Sequence, residues 1–288
     1  KIKMSKCLYC YRDLESNDTW DYHPKCIKAF YGTANAPALP YRLDEMEKLA
    51  KEAIELSVTV PGVQPKLSLG WIKSVIEKGH NGRLTIMDAL EGRYILKPQN
   101  SAYPQMPENE HLSMKLAQLF KIETVPCNMI RLVSGELCYL TKRIDYTKNG
   151  AKIHMIDFLQ ILELEDKYLG SMENLGKNIG ELSVNTLLDK LRFFELTLFN
   201  FIIANNDMHL KNFSLLHHPS NGYNLCAAYD MVATALVVPN DIEELALNLN
   251  GKKRKLKRND FVVAMQRSGI PSKAIDNIFA KFANAIPS

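Results

Sequence analysis

Apolar residues change their spacing along this chain, and the change divides it. Leu43, Met46, Ala50, Ala53 and Ile54 recur at helical intervals on an otherwise charged segment, which predicts an amphipathic helix. The stretch LSVTVPGVQPKLSLGWIKSV (residues 56–75) alternates around a Pro-Gly turn and predicts two strands joined by a tight loop. GRLTIMD and GRYILKP predict further strands, with turn signals at Asn81-Gly82 and Glu91-Gly92. Pro107 opens a predicted helix, ENEHLSMKLAQLF, in which Leu112, Leu116 and Leu119 share a face. CNMIRLV and LCYLTKRI then flank a turn at Ser134-Gly135. From Met155 onward helical patterns dominate, the longest running from Val184 to Asn205. A short hairpin (FSLLHH, then YNLCAAYD) interrupts them, and helices return after Lys257.

This order predicts an α+β chain with a β-rich small lobe, a mainly helical large lobe and a ligand cleft between them. Four segments follow: residues 1–32, a small Cys/His-rich unit ending at Gly32; 33–56, a linker (TANAPALP) and the amphipathic helix; 57–143, the β-rich lobe; and 144–288, the helical lobe. Composition is ordinary for a globular protein, with 46% hydrophobic and 24% charged residues. The most apolar stretch, Leu191 to Ala204, is interrupted by Arg192, Glu195 and Asn200, and the N-terminus KIKMSKCLYC has no apolar signal core. A cytoplasmic protein with no membrane partner is expected. The formal charge of +4 is local: KKRKLKR (252–258) holds six basic residues, and without them 30 basic residues face 32 acidic ones. The chain itself therefore does not read as a nucleic-acid binder. Six cysteines, three of them clustered near the N-terminus, do not make a disulfide framework.

The most informative segment is IIANNDMHLKNFSLL, where a long apolar helix stops, polar residues follow and a strand begins. Polar loops between rigid elements are disproportionately functional. Asp207 and Asn212 lie five apart, the spacing at which a kinase catalytic loop places its base and its magnesium-binding Asn. Asp230 follows eighteen residues after Asn212. Phosphoryl transfer needs neutralised phosphates, a positioned hydroxyl and a proton acceptor. A carboxylate base (Asp207) and hard oxygen ligands for magnesium (Asn212, Asp230) supply that set. Upstream, VPGVQPK offers Gly62 in a turn between strands, Lys97 ends the strand YILK, and Glu110 stands one turn into the next helix. A strand lysine held by a helix glutamate is how a kinase small lobe orients phosphate oxygens.

These segments, in this order, resemble the HipA-like serine/threonine protein kinases, toxins of bacterial toxin–antitoxin modules. GVQPKLSL looks like the family's phosphate loop, YILKP its nucleotide lysine strand, NEHLSMKLA its Glu helix, TKRID the joining segment, ANNDMHLKNFSLL the catalytic loop and AAYDMV the metal-binding Asp segment. The resemblance implies a two-lobed protein-kinase-like fold that binds ATP and Mg2+. It implies that Asp207 is the base, that Asn212 and Asp230 hold the magnesium, and that Lys97 and Glu110 complete the catalytic set. Nucleotide contacts are implied from Val60, Pro61, Gly62, Val63, Gln64, Pro65 and Lys66. Further contacts are implied from Lys97, from Lys142, Arg143 and Ile144, from His209, Lys211 and Asn212, and from Tyr229 and Asp230. Family members are switched off by autophosphorylation near the phosphate loop, for which LSVTVPG offers Ser57 and Thr59; a phosphate there would repel the nucleotide's own. That paired pattern is similar to the HipT branch, whose layout lacks the N-terminal HipS-like subdomain. The implied substrate is a protein hydroxyl, with an aminoacyl-tRNA synthetase as the family's target. HipS-like and HipB-like antitoxins are the implied partners, and nucleic acid is met only through a partner. Met231-Val232 departs from other kinases, which have glycine after the metal Asp.

Two features stand apart. Cys7-x2-Cys10 and His23-x2-Cys26, twelve residues apart, match a structural zinc site in ligand type and number. A metal-free cap packed through Trp20, Tyr22, Phe30 and Tyr31 is the alternative. The basic run reads either as a solvated loop or as a contact for an acidic partner. Two other functions remain open: a kinase fold retained for partner binding, and a small-molecule phosphotransferase.

Overall fold

Among the described residues every strand pairs antiparallel with its neighbours, so the register of each pair decides which side chains meet. The computed structural model describes residues 5–15, 21–46, 48, 92–147, 149–238 and 240–286 in full, with the backbone of 67–72 and 83–86. The expected phosphate loop Val60–Lys66, Ser57, Thr59 and Trp20 lie outside the described residues. The chain divides into two compact units, Lys1–His111 with Pro126–Arg143, and Leu112–Val125 with Ile144–Ser288.

The first unit is built on a five-stranded sheet of β1 (Leu67–Ile72), β2 (Arg83–Ile86), β3 (Tyr94–Lys97), β4 (Cys127–Arg131) and β5 (Leu137–Lys142), in the order β2-β1-β3-β5-β4. Four consecutive residues of β4 and four of β5 are buried, so both faces of this part of the sheet are covered. Helix α1 (Pro24–Tyr31) starts on a proline and stops at Gly32, whose φ of 74° is the left-handed cap that glycine adopts without strain. Its buried residues Cys26, Ile27, Phe30 and Tyr31 form one stripe. The stripe meets the sheet: Asn128 Nδ2 donates to Tyr31 Oη at 3.3 Å, and Phe30 stacks at 6.2 Å from Tyr94. Residues 43–46, the described start of the amphipathic segment, are helical, and Met46 is fully buried.

Helix α2 (Met106–Leu119) carries Pro107 in its first turn, as its sequence predicts, but presents a different face. Glu110, His111, Ser113, Met114 and Ala117 are buried, whereas Leu112 and Leu119 are 48% and 70% exposed. The leucine face predicted from spacing is therefore not the packed one.

In the second unit β6 (Met155–Asp157), β7 (Ser214–His218) and β8 (Gly222–Leu225) form a small sheet in that order. Met155 to Asp157 is a strand where a helix-dominated region was expected; three residues are too few to display a period. The helices are α3 (Phe158–Ile161), α4 (Met172–Leu182), α5 (Thr186–Ile202), α6 (Arg258–Arg267) and α7 (Ser272–Ala285). Gly176 on α4 lets α5 approach: a Cβ there would stand 3.0 Å from the Phe194 ring. Asp189, wholly buried in the first turn of α5, accepts hydrogen bonds from Ser183 Oγ at 2.5 Å and Leu225 N at 2.8 Å. Hydrogen bonds to a charged group contribute about 1.5–3 kcal/mol each. They tie the start of α5 to β8 and aim its far end at the polar loop. The hairpin predicted at YNLCAAYD leaves the sheet after Leu225 and instead forms a parallel bridge between Ala228 and Thr124. Among the described residues no helix is long and apolar enough to cross a membrane.

Candidate active site

Helix α5 ends at Ile202, and Ala204 turns the chain aside with φ of 54°. Asn205, 1% exposed, holds the turn from both ends. Its Nδ2 donates to Asn200 Oδ1 at 2.7 Å, and its Oδ1 accepts from Asp207 N at 3.3 Å. Met208, Leu210 and Phe213 are buried and fasten the loop to the core. Residues Leu210–Asn212 form a single 3-10 turn, and Asn212 Nδ2 donates to the Asp207 carbonyl at 3.0 Å. That bond commits the amide nitrogen and leaves the amide oxygen available.

The Asp207 carboxylate remains 46% exposed, and Tyr168 Oη donates to its Oδ1 at 2.7 Å. Burial and the carboxylate push the Tyr168 phenol upward, so it stays a donor. His209 is nearly buried beside them, with Nε2 2.8 Å from Lys167 Nζ and 3.9 Å from Asp207 Oδ1. An ammonium can only donate, so His209 Nε2 accepts and the proton of the neutral ring sits on Nδ1. That Nδ1 is buried and has no hydrogen-bond partner among the described residues. Burial depresses the His209 pKa to about 4; the Asp207 and Asp230 charges oppose the shift, and Lys167 adds to it. Both carboxylates thus act on one imidazole.

Asp230 has φ of 58°, a left-handed conformation uncommon outside glycine. Its neighbours enforce it. Ala228 N donates to Glu123 O at 2.8 Å, and Val125 N donates to Ala228 O at 2.9 Å. Tyr229 Oη bonds Ser214 Oγ at 2.5 Å and donates to the Lys211 carbonyl at 3.1 Å, and Met231 is fully buried. The Asp230 segment is thereby laced to the loop that carries Asp207.

In the first unit Lys97 and Glu110 form a bidentate ion pair, Nζ lying 2.7 and 2.8 Å from the two carboxylate oxygens. The residues are 3% and 1% exposed, and the Lys97 ammonium also stands 5.6 Å from the centre of the Tyr139 ring. Lys142 lays its ammonium over the Phe30 ring at 5.1 Å, and burial lowers its pKa. Arg143 N donates to Arg93 O at 3.0 Å; Ile144, half-buried, begins the second unit.

Cys7, Cys10, His23 and Cys26 bring their ligand atoms within 4.8 Å of one another. His23 Nε2 contacts the Asp13 carbonyl at 3.0 Å, which turns Nδ1 toward Cys10 Sγ (3.5 Å) and Cys26 Sγ (3.9 Å). Tetrahedral zinc bonds of about 2.3 Å to sulfur and about 2.0–2.1 Å to nitrogen separate the two donors by about 3.6 Å. None of the six cysteines is in a disulfide. In the basic run, Lys252 pairs with Asp260 at 2.8 Å and Lys253 with Glu243 at 3.3 Å, so part of its charge is spent within the fold.

Tyr168 and Lys167 were not foreseen from the sequence. They sit beside an acidic stretch, Glu163 to Asp166, with no spacing relation to the loop forty residues on.

The sheet, the buried Lys–Glu pair and the polar loop define an α+β chain of kinase-like fold. More specifically, the chain belongs to the HipA-like C-terminal domain family, which matches residues 58–288. A Haemophilus influenzae protein named "Putative kinase" is 27% identical over 213 residues, 69% of this chain and 59% of its own length. A Sinorhizobium fredii protein, "Putative kinase Y4dM", is 28% identical over 226 residues, 73% of this chain and 53% of its own. The chain thus spans between half and three-fifths of these curated relatives. A chain from the Shewanella oneidensis MR-1 toxin–antitoxin complex of HipA, HipB and operator DNA shares the fold with a TM-score of 0.62 at 18% identity. That match covers 96% of this chain and 74% of the other.

Two outcomes follow from the site's electrostatics. Lys97→Met strands a buried carboxylate and is expected to destabilise the chain by about 3–5 kcal/mol in urea unfolding. Adding Glu110→Leu is expected to restore most of that loss, and equal instability of the double variant counts against the pair. His209 has a folded pKa of about 4, below its ordinary 6.5, so its contribution is full above pH 6.5 and is lost as pH falls toward 4. The loss approaches about 1.4 kcal/mol per pH unit in that window. His209→Gln is expected to flatten the pH dependence of unfolding there; a slope equal to wild type refutes the assignment.

Proposed function

We propose that this chain is an ATP-dependent serine/threonine protein kinase, transferring the terminal phosphate of ATP to a protein hydroxyl. The observation that carries this reading is the loop itself. One exposed carboxylate, Asp207, is held by Tyr168 on a backbone that the buried Met208, Leu210 and Phe213 make rigid.

In this reading Asp207 takes the proton of the acceptor hydroxyl as oxygen attacks phosphorus, and the nucleoside diphosphate leaves. Tyr168 orients the carboxylate. His209 is kept neutral beside that carboxylate, and its contact with nucleotide rests on family resemblance. Lys97, fixed by Glu110, meets further phosphate charge. The donors present suit magnesium: the Asn212 amide oxygen and the Asp230 carboxylate are hard oxygen ligands. When bound, the ion supplies neutralisation of phosphate charge. Nucleotide contacts from Val60 to Lys66, and from Lys142 to Ile144, with autophosphorylation at Ser57 or Thr59, complete the proposal by family resemblance. An aminoacyl-tRNA synthetase as target and HipS-like or HipB-like partners rest on the same ground.

Incubation with radiolabelled ATP and magnesium is expected to label the chain or a protein in a cell extract. Asp207→Asn is expected to lower that label at least about 100-fold, the scale of general-base catalysis, while ATP still binds. Label confined to small metabolites supports a small-molecule phosphotransferase, and ATP binding without any transfer supports a binding module.

The cysteine cluster is proposed to hold one structural zinc ion. The purified chain is expected to carry about one zinc per chain by elemental mass spectrometry, and Cys10→Ser to lose it. A wild-type stoichiometry near zero rules the site out.

A further inference from the structure

The residue after Cys10 reaches the helix that carries Glu110. Tyr11 N donates to the Cys7 carbonyl at 2.9 Å and Tyr11 has φ of 61°, so the Cys7–Cys10 turn sets its direction. Its hydroxyl lies 2.6 Å from His111 Nδ1, and the two rings meet edge to face at 5.2 Å. His111 is fully buried and is the direct neighbour of Glu110 on α2. Beyond it, His111 packs edge-on against Tyr139 at 6.4 Å, and Tyr139 lies under the Lys97 ammonium. A continuous run of contacts therefore leads from a metal ligand to both members of the ion pair.

The lever has a fixed base. Tyr22 Oη donates to the Met129 carbonyl of β4 at 2.5 Å, and Arg131 pairs with Asp21 at 3.0 Å. Phe30 and Tyr31 seat α1 on the sheet. The Cys7–Cys10 turn is held by Cys7 N to Arg12 O and Leu8 N to Asp21 O, each at 2.9 Å, and by the buried Leu8 and Leu14. Four metal bonds would add to these local restraints by fixing all four ligand side chains at once.

We infer that the metal-bound Cys7–Cys10 turn, acting through Tyr11 and His111, positions Glu110 and so keeps Lys97 set for phosphate. This rests on the kinase and zinc readings above and extends them: the small Cys/His unit is a working part of the phosphate-binding apparatus. Tyr11 and His111 are positioning residues, since neither is placed on phosphate.

Tyr11→Phe removes one hydroxyl and leaves all four metal ligands in place. Hydrogen–deuterium exchange is expected to run about three- to tenfold faster at amides 108–111, the range of one hydrogen bond, with zinc content and the β5 amides unchanged. Wild-type exchange at 108–111 in this variant overturns the inference. Stripping zinc from the wild-type chain with 1,10-phenanthroline is expected to accelerate the same amides at least as much. If β5 opens equally, the metal supports the sheet as a whole and the route through Tyr11 is refuted. In calorimetric titration with Mg-ATP, Tyr11→Phe is expected to weaken binding by a similar factor in the wild-type background and to add nothing to Glu110→Gln. Additive losses contradict positioning through Glu110. A wild-type chain that binds no ATP sinks the kinase reading, and the exchange results still decide the coupling.

Discussion

Two charges taken out of water set the terms for the first unit. Burying an ammonium or a carboxylate costs several kcal/mol even after relaxation, and only close, bidentate pairing offsets it. Lys97 reaches its position because β3 ends there; Glu110 reaches it only if α2 is rotated to bring that side chain inward. The rotation places Met114 and Ala117 inward with it and leaves Leu112 and Leu119 in solvent. Burying a leucine gains about 1.5–3 kcal/mol. Leaving Lys97 unpaired would lose more than that. The polar constraint therefore outranks the apolar stripe.

The second unit solves a different problem, that of making a loop rigid while leaving one carboxylate wet. Met208, Leu210 and Phe213 act as anchors between the polar positions, and buried asparagines close the backbone turns where no regular ladder exists. Asp207 stays half in water. His209 is denied its charge by burial despite two nearby carboxylates. A charged imidazole there would add a fourth ionised group to Asp207, Asp230 and Lys167. A neutral one adds no charge to that set. The left-handed backbone at Asp230 lies between Tyr229, which bonds Ser214 and the Lys211 carbonyl, and the buried Met231.

What was legible in the chain followed from short-range chemistry. Strand and helix order, the Gly32 stop and the proline at the start of α2 are local signals, and the kinase-like fold class follows from their sequence. The Asp207–Asn212 spacing was readable because one loop holds both residues. Tyr168 was not, because its approach to Asp207 spans thirty-nine positions and depends on how β6, α3 and the loop pack. The setting of α2 failed to show for a related reason. Its buried face is chosen by Lys97, thirteen residues upstream on another element, and periodicity within a helix carries no record of that.

The Cys/His unit shows why a small appendage belongs to the fold it sits on. About thirty residues bury too little apolar surface to fold alone. Here Tyr22, Phe30 and Tyr31 draw on the sheet for that burial, and the sheet in turn has part of a face covered. With the two sharing a core, the proposed metal binding and the geometry of Glu110 would be linked, and linkage is reciprocal. Whatever factor a bound zinc would contribute to the affinity of Lys97 for a phosphate, that phosphate would contribute to the affinity of the thiolates for zinc. The size of the factor is bounded by the one hydrogen bond and the ring contacts between Tyr11 and His111. It is therefore a modest bias on a helix already held by its ion pair, suited to steadying the pair and too small to act as a switch alone.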